Sequence, residues 1–251
     1  MGARIGAWPR TACGLAIQSG RGLLAVGVCA LLVHGCAHLY QSTPLQPVLA
    51  QADSVRVADD GTLTFVRERL EVAVRYMADG ELNRQFPDAS AGGRESLNPY
   101  TYGNWVPRGR KAAPARFTVF RISVKNYTFP KVYLDPRRAF MSAQSGRILL
   151  PLTFDHLKEY YRPYNVGWSG STTKQYQERR DLLSRTLYPE EEIVFSGQDY
   201  TGYIVFPPLP ADVRQVQLVV EDVVVRFDAF DRPVEVLDLA YQFGRQVAVE
   251  E

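Results

Sequence analysis

From about residue 61 onward, apolar side chains recur at every second position in short runs bounded by glycine, proline, asparagine or aspartate. Leu63, Phe65 and Val66 follow the turn pair Asp60-Gly61. Leu70, Val72, Val74 and Tyr76 then alternate with Glu71, Ala73 and Arg75, the period of a half-buried strand. In residues 116–128, Phe117 and Val119 sit on one parity while Phe120, Ile122 and Val124 sit on the other, which predicts a strand with a bulge or face switch near Phe120. Shorter strands are predicted over 132–134, 139–141 and 147–152, and again over 193–196, 201–206, 213–220, 223–227 and 234–243. Asp79-Gly80 predicts a turn, and residues 80–114, punctuated by Gly92, Gly93, Pro99, Gly103 and Pro107, predict irregular chain.

A helical period appears between these strands. Thr153 or Asp155 is placed to cap a short helix through Leu157 and Tyr160. Ser171-Thr172-Thr173 opens a longer one toward Leu187, with Tyr176, Arg179 or Arg180, and Leu183 near helical spacing, and Pro189 closes it. The pattern predicts a mostly β fold: an antiparallel, immunoglobulin-like two-sheet sandwich over residues 61–245. An irregular segment at 80–114 and a helical insertion at 153–190 decorate it. Residues 36–60 are polar, carry Pro44 and Pro47, and show weak periodicity, which predicts a tether.

The start of the chain has a different organisation. Arg4, Arg10 and Arg21 precede residues 22–33 (GLLAVGVCALLV), an unbroken apolar run. Its length suits a signal-peptide core and falls short of the roughly 20 residues of a membrane-spanning helix. Val33-His34-Gly35-Cys36 then resembles the lipobox of bacterial lipoproteins, with His34 departing from the usual small or aliphatic choice. The resemblance implies removal of residues 1–35 and attachment of diacylglycerol to the sulfur of Cys36, so that the membrane is a partner through lipid. Cys13 and Cys29 lie in the removed segment, and no cysteine follows Cys36, which excludes disulfides and thiol catalysis from the mature chain. Ala37 differs from the aspartate that retains such proteins at the inner membrane of enteric bacteria. By that resemblance the expected address is the outer membrane, facing the periplasm.

Removing Arg4, Arg10 and Arg21 from the 29 basic residues leaves 26 against 27 acids. A near-neutral mature chain does not globally indicate a basic surface for phosphates, so nucleic acid is not an expected partner. Residues 187–192 (LYPEEE), Phe195-Ser196-Gly197 and residues 200–206 (YTGYIVF), followed by paired strands, are similar to the C-terminal half of bacterial immunoglobulin-like lipoprotein domains of unknown function. That resemblance spans residues 115–243. It implies the sandwich and an envelope location, and supplies no active site.

Few groups suit catalysis. His38 lies in the expected tether, and Asp155-His156 with Glu159 offers too few ligands for zinc. Asp228 and Asp231, with Glu221 and Asp222, lack the spacing and central glycine of a calcium loop and read as a solvated turn. Ser196-Gly197 is not a nucleophile elbow, and Glu190, Glu191 and Glu192 read as an exposed acidic turn. No catalytic residue, metal or cofactor is therefore expected. Aromatic density is the distinctive feature: Tyr100, Tyr102 and Trp105, then Tyr160, Tyr161, Tyr164 and Trp168, with Arg108, Arg110 and Arg162 nearby. Such groups either pack the decorations onto the sheet or form a surface that stacks on a glycan or peptide. The expected function is a non-enzymatic structural or protein-interaction module of the envelope, with a protein partner. Glycan or peptide binding through the Tyr/Trp segments is the alternative.

Overall fold

The computed structural model describes residues 39–109, 113–165 and 170–250. Strands Leu39–Ser42 (β1), Gln46–Pro47 (β2), Val55–Val57 (β3), Leu63–Arg67 (β4) and Leu70–Met77 (β5) come first. Helices Asp79–Gln85 (α1) and Pro87–Ser90 (α2) follow, then strands Thr118–Asn126 (β6), Lys131–Leu134 (β7), Ala139–Ala143 (β8) and Ile148–Leu149 (β9). Helices Phe154–Tyr161 (α3) and Gly170–Thr186 (α4) precede Glu192–Phe195 (β10), Gln198–Phe206 (β11), Gln215–Phe227 (β12), Pro233–Gly244 (β13) and Val247–Glu250 (β14).

Two antiparallel sheets carry the fold. The five-stranded sheet runs β11-β6-β5-β4-β3, and the seven-stranded sheet runs β10-β7-β12-β13-β2, with β8 beside β12 and β9 beside β8. Between them lies the main core. Leu70, Val72 and Val74 of β5 and Phe120, Ile122 and Val124 of β6 face Leu218, Val220, Tyr241 and Phe243 of the other sheet, all buried. Tyr241 is wholly enclosed and donates its hydroxyl to the Val72 carbonyl at 2.9 Å, joining the sheets at depth. The mostly β, two-sheet sandwich with a helical insertion is thus the observed architecture.

The outer face of the five-stranded sheet is covered. Met77, Val119, Tyr203 and Val205 pack there against Leu82, Tyr100, Leu157, Tyr161 and Leu183, forming a second core under the helices. This explains the change of parity in β6. Val119 and Phe120 are both buried, on opposite faces, and the β6–β11 pairing runs without interruption from Thr118↔Phe206 to Asn126↔Gln198. No bulge is present: the strand is apolar on both sides where helices lie over it.

Three other expectations are corrected. The segment read as a tether at 36–60 is built into the sheets from Leu39 on: β1 pairs with β14, β2 with β13 and β3 with β4. β2 and β3 are too short to bury a side chain fully, so they leave no alternating trace. Asp79-Gly80 opens α1 rather than making a turn, with Asp79 and Glu81 in the first turn, where carboxylates oppose the helix dipole favourably. The strands expected at 213–220 and 223–227 are one, β12. Its register with β13 shifts between Val220 and Val223, and Asp222 takes φ 57 at the bulge.

Candidate functional site

The sequence pointed to aromatic residues, and the structure divides them. Tyr100 and Tyr161 are almost wholly enclosed, at 0% and 1% exposure, which removes them from any binding surface. Tyr100 packs on Tyr203 with ring centroids 5.2 Å apart, and its hydroxyl is hydrogen-bonded to Thr186. The Tyr161 hydroxyl donates to the Pro99 carbonyl at 2.7 Å and accepts from Arg116 at 2.9 Å. Tyr102 is half-buried beneath the Arg116 guanidinium, which lies 4.0 Å from its ring centroid, and Trp105 packs edge-on against Tyr102. Tyr160 is partly exposed, yet it is hydrogen-bonded to Tyr102 and packs edge-on against Phe117 and Tyr161. These rings fasten α3 and the 80–109 stretch, which carries helices α1 and α2 at its start where irregular chain was expected, to the sandwich. Cys36, Arg110 and Trp168 lie outside the described residues, as does the side chain of Tyr164.

Polar groups complete that fastening. The Asn83 side-chain carbonyl accepts from Ser90, Asn98 and Thr101, and the Asn98 side-chain oxygen Oδ1 in turn accepts from the Tyr100 N–H at 3.0 Å. Arg179 of α4 donates to the carbonyls of Glu95 and Ser96. Burial pushes Asp79 up to about 6, with Arg116 opposing.

His156 has a structural role. It is exposed, its Nδ1 accepts from the Thr153 N–H, and its own N–H donates to the Thr153 hydroxyl, each at 3.3 Å, closing a capping box at the start of α3. Asp228 accepts from the N–H groups of Phe230 and Arg232 and so shapes the β12–β13 turn. Among the described residues no group of His, Asp and Glu is arranged to hold a metal ion.

A groove of 340 Å³, absent from the sequence-based expectations, opens where the helical insertion meets the sandwich. Its walls include Leu152 and Phe154 before and within α3, Leu187 after α4, and Tyr200, Tyr203 and Val205 of β11. β11 is an edge strand, and two connecting segments close against it. The Tyr188 N–H donates to the Tyr203 carbonyl at 2.9 Å, and the Leu152 N–H to the Val205 carbonyl at 2.7 Å. The groove is therefore built on rigid backbone on three sides, with half-buried apolar side chains between.

Its rim is charged. Arg137 makes a fork with Asp135, its Nε and Nη2 lying 2.9 and 2.7 Å from the carboxylate, and also contacts Glu190 at 3.1 Å and Glu191 at 2.6 Å. Hydrogen bonds to Asp135 and Glu191 hold the Arg137 guanidinium firmly protonated. On α3, Asp155 is paired with Lys158 at 2.6 Å, which holds its carboxyl below the ordinary range. Of the acidic turn expected to be exposed, Glu190 and Glu191 are exposed and tied down by Arg137, while Glu192 is half-buried at the start of β10.

Beneath the groove, Tyr188 is buried and its hydroxyl has no hydrogen-bond partner among the described residues. Burial, with Glu192 and Tyr200 nearby, pushes its pKa far above the ordinary phenol value. An unpaired buried hydroxyl costs about 1–3 kcal/mol in lost hydration. Tyr188→Phe is accordingly expected to stabilise the fold by roughly 1 kcal/mol, read as a higher urea midpoint at unchanged slope. A lower midpoint would mean that the hydroxyl has a partner.

No family model matches the chain, and no curated protein matches it. Among solved structures, the YjhA protein from Bacillus subtilis overlaps 70% of this chain and 93% of its own at 8% identity and a TM-score of 0.33, a likeness too slight to transfer anything from one protein to the other.

Proposed function

We propose that this chain is a lipid-anchored protein of the bacterial envelope whose sandwich is a non-enzymatic protein-interaction module. The groove between β11 and the helical insertion carries the second half of that proposal. It offers concave apolar surface on rigid elements, and its charged side chains are held in ion pairs rather than set against a reacting atom. The glycan- or peptide-binding alternative through the Tyr/Trp segments loses support, since Tyr100 and Tyr161 are enclosed and Tyr102 is stacked under Arg116. The anchor rests on the apolar run 22–33 and on Val33-His34-Gly35-Cys36. The outer membrane facing the periplasm is the proposed address.

Two measurements test this. Cells fed a clickable palmitate analogue are expected to label the wild-type protein and not Cys36→Ser; an unlabelled wild type would sink the anchor. A photo-crosslinking residue at Ser184, exposed on the groove wall, is expected to trap a discrete protein adduct. The same residue at Lys174, elsewhere on α4, is expected to trap none. Absence of a protein adduct at Ser184 would overturn the interaction module.

A further inference from the structure

Resting on that interaction reading, we infer that the groove receives a basic amphipathic peptide segment of its partner, with one or two apolar side chains seated between β11 and the insertion and lysine or arginine set against the rim. Size supports the first part. A volume of 340 Å³ is at the lower end of the roughly 300–1,000 Å³ of small-ligand sites, enough for bulky side chains and too little for a folded element. The walls fit such an anchor, because Leu152, Phe154, Leu187 and Tyr200 are each half-buried and present apolar surface to the opening.

Backbone pairing narrows the mode of binding. The Tyr203 and Val205 carbonyls of the β11 edge already accept from Tyr188 and Leu152. A peptide therefore cannot simply extend the sheet there as a new strand, and side-chain insertion is left as the recognition mode.

Charge supplies the second part. Three charged residues line the groove, namely Arg137, Asp155 and Glu190, and their ion-pair partners add Asp135, Glu191 and Lys158. Three exposed carboxylates, Asp155, Glu190 and Glu191, stand with Arg137 and Lys158 at the rim while Asp135 is buried beneath Arg137, so the rim is net acidic. Its exposed carboxylates sit on separate elements: α3 on one hand, the 187–192 segment on the other. Asp155 and Glu191 remain largely exposed while paired, leaving oxygens free for an incoming cation. An apolar centre flanked by basic residues is complementary to this arrangement; acidic flanks would meet like charge.

The test uses the folded chain after Cys36 and two dye-labelled octapeptides. Both have leucine and phenylalanine at the centre, one with flanking lysines and one with flanking glutamates. Fluorescence anisotropy is expected to show the lysine peptide binding roughly tenfold more tightly at low salt, with the difference largely erased at about 0.5 M salt. Ser184→Trp, a surface change that fills the groove, is expected to abolish binding of both peptides. Asp155→Asn is expected to weaken only the lysine peptide; circular dichroism melts check that each variant is folded. Equal affinity for the two peptides, or lysine-peptide binding that survives Ser184→Trp, would overturn the inference. A Ser184 adduct in cells alongside equal peptide affinities would sink the basic-peptide inference alone, whereas loss of the adduct would remove the interaction module beneath it.

Discussion

Gly202→Ala is expected to lower the melting temperature by roughly 6–12 °C, corresponding to about 3 kcal/mol for a domain of this size. The cause is contact with backbone, not loss of chain flexibility. A Cβ at position 202 would lie 2.5 Å from both the nitrogen and the Cα of Tyr188, and 2.9 Å from the carbonyl carbon of Leu187. Side chains move aside at small cost; a main chain fixed by its own hydrogen bonds does not. Here the segment is held by the Tyr188 N–H on the Tyr203 carbonyl and by the Leu187 N–H on the Leu183 carbonyl at the end of α4. The added methyl must push the exit of α4 away from β11 or bend β11 away from β6. Either motion opens the groove and exposes Tyr203 of the second core. Differential scanning calorimetry reads the shift, and a melting temperature within about 2 °C of wild type would show that the close approach is relieved cheaply.

Legibility varied with how much of a strand is buried and on which sides. β5 is legible because Leu70, Val72 and Val74 are fully buried while Glu71, Ala73 and Arg75 remain partly exposed, an alternation that breaks only at Met77, which packs into the second core. β6 misled near Phe120 because helices bury its outer face at Val119, and a strand buried on both sides loses the period that signals one core. β2 and β3 are invisible for the opposite reason: they bury too little to leave a period. The Thr153 cap and the span of α4 were legible, since capping and helical spacing are local chemistry.

The groove was not legible at all. It joins Arg137, Leu152 to Asp155, Ser184 to Glu190 and Tyr200 to Val205, four stretches that only the tertiary fold brings together. The aromatic segments were visible, but their role depended on depth. A tyrosine ring has the same signature whether it covers a sheet or faces a ligand, and the enclosure of Tyr100 and Tyr161 decides for covering.

Arg179 ties these observations to a second large effect. Sequence spacing left Arg179 and Arg180 as equal candidates for the inner face of α4; the structure buries Arg179 to 2% exposure and leaves Arg180 outside. Its Nη2 donates to the carbonyls of Glu95 and Ser96 at 3.0 and 2.9 Å, and its guanidinium lies 5.5 Å from the Tyr161 ring centroid. Arg179→Met keeps the length of the side chain and removes every donor. The two carbonyls then lose the Arg179 donor, that of Ser96 while buried, and hydrogen bonds from charged donors of this kind are worth about 1.5–3 kcal/mol each in context. A net loss of about 3 kcal/mol is expected, smaller than the sum because the chain around Ser96 relaxes toward water. The damage should be local before it is global. Hydrogen–deuterium exchange is expected to rise first in residues 92–109, which Arg179 holds down, while β5, β6 and β12 keep their protection until the whole fold opens. Arg179→Lys should recover part of the loss, since it restores charge and donors without the planar fork. Uniformly faster exchange across both sheets in Arg179→Met, or a methionine variant as stable as wild type, would mean that the irregular segment is held by its aromatic packing and the Asn83–Asn98 network without this clamp.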